Sequence, residues 1–106
     1  MPTYLWRASY TTEGVKGLLK DGGSKRRSVV QQSIEQAGGK LHAFYFALGE
    51  ADVISVAEFP DTATAVAVSA AVNATGLVHL SSTLLVTPEE VDAAAKKTVS
   101  YRPPGS

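Results

Sequence analysis

The chain has 106 residues, about one domain, and at this size a hydrophobic core is thin. Ten Lys and Arg balance ten Asp and Glu, so the basic excess that a nucleic-acid binder carries is missing. The absence of cysteine excludes disulfides and thiolate metal sites, and the longest apolar stretch, around residues 65–74, is interrupted by Ser69 and Asn73 and is too short to cross a bilayer.

The start, Met1-Pro2-Thr3-Tyr4, enters a strand pattern at once, without the charged and apolar regions of a secretory signal. A cytoplasmic location, away from membranes, is the expectation. Residues 4–10 read as the first strand, with Tyr4, Trp6, Ala8 and Tyr10 on one parity and Leu5, Arg7 and Ser9 on the other. Thr11 or Thr12 caps a short helix with Glu13 in its first turn and Val15, Leu18 and Leu19 at helical spacing, and Asp21-Gly22-Gly23 breaks it. Ser24 opens a second helical segment, in which Val30, Ile34 and Ala37 recur at i, i+4 and i+7, and Gly38-Gly39 stops it.

Residues 40–48 and 51–59 read as the second and third strands. Gly49-Glu50 between them suits a two-residue type II′ hairpin turn. Pro60-Asp61 ends the third strand and caps a helix over residues 62–74 that is mostly Ala and Val and stops at Gly76. Residues 77–86 form the fourth strand. Thr87-Pro88-Glu89-Glu90 is a capping box with Pro at the first helical position, opening a short C-terminal helix to about Lys97. Residues 98–106 lack periodicity and read as a tail. The order β-α-β-β-α-β predicts an α+β, ferredoxin-like βαββαβ fold. Its four-stranded antiparallel sheet has the order 4-1-3-2, helices cover one face, and the short C-terminal helix is added. The other face of the sheet is left open.

Met1-Pro2-Thr3-Tyr4-Leu5, Gly38-Gly39-Lys40, Phe44-Tyr45, Leu48-Gly49-Glu50-Ala51-Asp52, Glu58-Phe59-Pro60-Asp61 and Thr87 together resemble the GYD-domain family over nearly the whole chain. The resemblance implies a ferredoxin-like domain over residues 1–97, related to the dimeric α/β-barrel group, and carries no common activity with it. Ala51 stands where the family signature usually has its tyrosine.

The hairpin register sorts side chains by face. Leu48 falls opposite Ala51, Phe46 opposite Val53, Phe44 opposite Ser55 and His42 opposite Ala57, and this Phe-rich face is assigned to the helices. Ala47 opposite Asp52, Tyr45 opposite Ile54, Ala43 opposite Val56 and Leu41 opposite Glu58 form the open face, to which Arg7, Ser9, His79, Ser81 and Thr83 also project. Arg7, Tyr45, Asp52, Glu58 and His79 become the candidate pocket, with His79 or Glu58 as acid or base and Arg7 as anion anchor. The same residues also read as an Arg7–Glu58 ion pair on a solvated or interfacial sheet.

His42 and His79 fall on opposite faces, and no metal is expected. Nor is any cofactor. Lys25-Arg26-Arg27 reads as a solvated helix face, and Gly22-Gly23 lacks the rest of a phosphate loop. Apolar Leu41, Ile54, Val56, Leu77 and Leu85 at the open face predict a homodimer or larger homo-oligomer, with edge pairing of the second strand as the competing geometry. Two functions of different class follow. One is a non-catalytic oligomeric module that binds a small molecule or a partner on the open face. The other is a small dimeric-barrel enzyme for cofactor-free oxygenation, isomerisation or decomposition of a small organic substrate.

Overall fold

The computed structural model describes all 106 residues. Its elements are β1 (Thr3–Tyr10), α1 (Thr12–Asp21), α2 (Gly23–Gln36), β2 (Lys40–Phe46), β3 (Val53–Glu58), α3 (Thr62–Ala74), β4 (Val78–Leu85) and α4 (Pro88–Ala95). The strands form one antiparallel sheet in the order β2-β3-β1-β4, the ferredoxin-like arrangement expected from the sequence.

Local chemistry sets the helix ends. Thr11 caps α1 through a bond from the Gly14 N–H, 3.2 Å long. A Schellman turn closes α2: Gly38 takes a φ of 83°, the Gly38 N–H donates to Glu35 O and the Gly39 N–H to Ile34 O. Asp61 caps α3, and Thr87 with Glu90 forms the reciprocal capping box of α4.

The core lies between the sheet and the helices. Tyr4, Trp6, Ala57, Phe59 and Leu80 pack with Ile34 of α2 and Ala65 of α3. Phe59 is fully buried, with its ring 5.4 Å from that of Trp6 and 6.2 Å from that of Tyr4. The core is thin: 10 of 106 residues are buried, and every residue from 81 onward is exposed.

The pairings Phe46–Val53, Tyr45–Ile54, Phe44–Ser55 and Ala43–Val56 match the sequence reading, and Ala47 N–H donates to Asp52 O at 2.8 Å. Two details correct that reading. The hairpin opens after Ala47 and Asp52, and Gly49 lacks the positive φ that a type II′ turn requires. Asp52 is held by β1 instead, its N–H donating to Ala8 O and its carboxylate accepting from Tyr10 N–H, both at 2.8 Å. Residues 48–51 therefore bridge as a loop, and Leu48, expected beneath the helices, lies fully in solvent.

The second correction is a bulge at His42. Leu41 pairs with Ala57 and Lys40 with Glu58, so one extra residue shifts the start of β2 by one position. Leu41 thereby packs against the core, where the uninterrupted register had put it on the open face.

Both sheet edges are modified. The β2 edge carries the bulge. On β4 the Asn73 side chain of α3 takes both backbone groups of Leu80, accepting from its N–H at 2.7 Å and donating to its carbonyl at 3.1 Å. Such features hinder a second chain from adding to the sheet.

Candidate functional site

The register lays out the open face as rows across the sheet. One row runs Ser81–Arg7–Ile54–Tyr45, the next Thr83–Leu5–Val56–Ala43, and the last Leu85–Thr3–Glu58–Lys40. His79 stands opposite Ser9 at the other end. Strands lie about 4.8 Å apart and alternate residues about 6.7 Å apart along each strand. Arg7 and Tyr45 are thus separated by the Ile54 position, and Glu58 is about 13 Å along the sheet from the Arg7 row.

The strand register sets Arg7, Tyr45, Glu58 and His79 on one face, Asp52 lies just before β3, and the chain does not gather the five. Arg7 and His79 are exposed, and Arg7 has no carboxylate within ion-pair distance, so the expected Arg7–Glu58 pair is not formed. Glu58 instead meets His42, with Oε1 3.1 Å from Nε2. The bulge brings this about, and it corrects the placement of His42 in the helix layer. The carboxylate of Asp52 is engaged in tying down the end of β1. None of the five main cavities is lined by Arg7, Asp52, Glu58 or His79.

A different concavity lies on the helix-covered side and is lined mostly by apolar residues. Helix α2 rests on β2 and α3 on β4, leaving a gap over the central strands β1 and β3. The gap is a cleft of about 120 Å³, floored by Trp6, Phe44 and Ser55 and walled by Val30 and Val68. Ser55 is the one buried polar residue, and the buried Trp6 Nε1 has no hydrogen-bond partner. Tyr10 and Arg26 also border a second cavity, lined by α1 and the start of β4.

The sequence reading missed this cleft. Arg26 was legible only as part of a basic run, although it is half-buried where its neighbour Arg27 is exposed. Its helical position relative to Val30, four residues on, is the one signal that it borders the apolar side.

No helix is long and apolar enough to cross a membrane. No curated protein and no solved structure is similar enough to the chain to count as a match. The family model for the GYD domain matches residues 4–95, nearly the whole chain and every element from β1 to α4. The chain belongs to the GYD domain family.

Proposed function

We propose that this protein is a non-catalytic homo-oligomeric module in which the open sheet face of one copy packs against that of a second. The observation that carries this reading is surface area. The chain exposes 7374 Å². A folded monomer of 11.1 kDa exposes about 5,700 Å². The excess, about 1,700 Å², is roughly twice what each partner buries in a standard interface, and it is shared between the exposed C-terminal arm and the open face, where Ile54 is 36% exposed. Leu5, Ile54 and Val56 supply an apolar centre to the face, Arg7 stands beside it on β1, and Leu85, Glu58 and Lys40 lie in the last row. The modified edges favour face packing over edge pairing.

The enzymatic alternative needs a base, an anion anchor and an enclosed space. Within one chain none of the candidate groups contacts another, so no observation favours it over the binding module.

Sedimentation velocity tests the proposal. A dimer or larger species is expected at micromolar concentration, and Ile54→Arg is expected to yield a folded monomer with unchanged far-UV circular dichroism. A wild-type monomer under those conditions overturns it.

A further inference from the structure

We propose that the cleft between α2 and α3 binds a small apolar carboxylic acid, with the hydrocarbon body over Trp6 and the carboxylate on Arg26. This site lies on the helix-covered side of the sheet, so it is independent of the self-association proposed for the open face.

The cleft follows from the sequence. Helix α3 is mostly Ala and Val, so it lies close to β4 and reaches little across the sheet toward α2. The central strands are left with a partly covered apolar surface. Twelve of the fifteen residues bordering the space are hydrophobic. Its volume, about 120 Å³, is near that of an apolar protein cavity known to take benzene, about 150 Å³. Val29, which borders the space, is exposed and leaves a way in from solvent.

Charge selects the ligand class. Arg26 is half-buried, borders the cleft and has no acidic partner within ion-pair distance. The carboxylates of the adjoining cavity lie beyond ion-pair distance of Arg26 and contact lysines instead, Asp21 with Lys25 at 3.8 Å and Glu13 with Lys16 at 3.2 Å. A guanidinium beside an apolar slot suits a carboxylate, which it can hold through two parallel hydrogen bonds. At the floor, the hydroxyl of Ser55 can meet a polar substituent on the ligand body.

The chain's single tryptophan reports on the site, because Trp6 forms part of its floor. Benzoate is the probe, with benzyl alcohol as a neutral ligand of similar size and acetate as a carboxylate without an apolar body. Titration of the full-length protein is followed by the Trp6 indole N–H resonance and by thermal shift. Benzoate is expected to shift the indole resonance saturably, with a Kd of about 1 mM or tighter. Arg26→Gln is expected to weaken benzoate about tenfold and leave benzyl alcohol unchanged, since the charge-assisted bonds are what it loses. Acetate is expected to leave the resonance unmoved. Val68→Phe, which fills the slot, is expected to abolish the benzoate response. If that variant misfolds, the Arg26→Gln comparison still decides. No indole shift at about 10 mM benzoate overturns the proposal. Equal responses to benzoate and benzyl alcohol, or an unaffected Arg26→Gln, overturn the carboxylate assignment.

Discussion

Glu58 Oε1 lies 3.1 Å from His42 Nε2, and the contact exists because His42 is the extra residue of a β-bulge. A regular β2 would set His42 opposite Ala57 and expose Leu41. With the bulge, Leu41 reaches the core and Lys40 faces Glu58. Deleting His42 would join Leu41 to Ala43 and restore an uninterrupted register with every other pairing kept. The expected cost is within about 1 kcal/mol by urea unfolding, because the lost His42–Glu58 contact is partly exposed. A loss of several kcal/mol would show that the bulge itself supports the fold.

Two glycines of α1 separate helix propensity from packing. A Cβ on Gly14 would collide with the Leu77 carbonyl oxygen and press on the Tyr10 ring, whereas one on Gly17 would meet nothing within 4 Å. Gly14→Ala is therefore expected to destabilise by about 1–3 kcal/mol despite the better helix former. Gly17→Ala is expected to stabilise by about 0.5–1 kcal/mol. Equilibrium unfolding of both variants checks the contrast, and equal effects would disprove it.

Much of the fold was legible because it rests on short-range chemistry. Thr11, Asp61 and Thr87 cap helices through bonds to residues three positions on, and the Gly38-Gly39 stop is equally local. The face assignment held from Ala43 to Phe46 because strand alternation has a period of two. It failed at His42 since one inserted residue leaves either parity plausible on paper, Leu41 and Ala43 both being apolar. The loop at Leu48 to Ala51 was misread because Asp52 bonds to β1, a partner some forty residues away. The cleft at Arg26 was hidden for a similar reason. Its width depends on how far apart two helices settle on the sheet, a quantity that no single segment encodes.

The cap on α3 couples stability to acidity. Asp61 Oδ1 accepts from the Thr64 N–H at 2.7 Å, and hydrogen bonding to Thr64 holds its carboxyl below the ordinary carboxylate value. A folded-state value below the unfolded one makes the contribution fully present above about pH 4 and lost as pH falls through the folded value. Asp61→Asn keeps a capping oxygen without the titration. Its thermal midpoint is expected to fall less steeply than that of the wild type between about pH 5 and pH 2. Parallel curves for the two proteins would remove Asp61 from the acid sensitivity.

The C-terminal arm gives the last test. Helix α4 has no buried residue, and Val91 is 55% exposed although the helix is closed by a complete capping box. The radius of gyration is 17.0 Å, against about 13 Å for a compact chain of this length. An eight-residue helix is not stable alone in water, since nucleation costs more than so few hydrogen bonds return. The apolar side of α4 therefore calls for cover that its own domain does not give, and in the proposed assembly a second copy supplies it. Truncation after Lys97 is expected to leave both the sheet and the sedimentation behaviour unchanged, since residues 98–106 form no helix or strand. Truncation after Val86 is expected to leave the circular dichroism of the remaining elements intact and to weaken self-association at least about tenfold. If the shorter chain associates as strongly as the full one, α4 is not part of the interface; if it loses its sheet, the arm belongs to the fold of its own subunit.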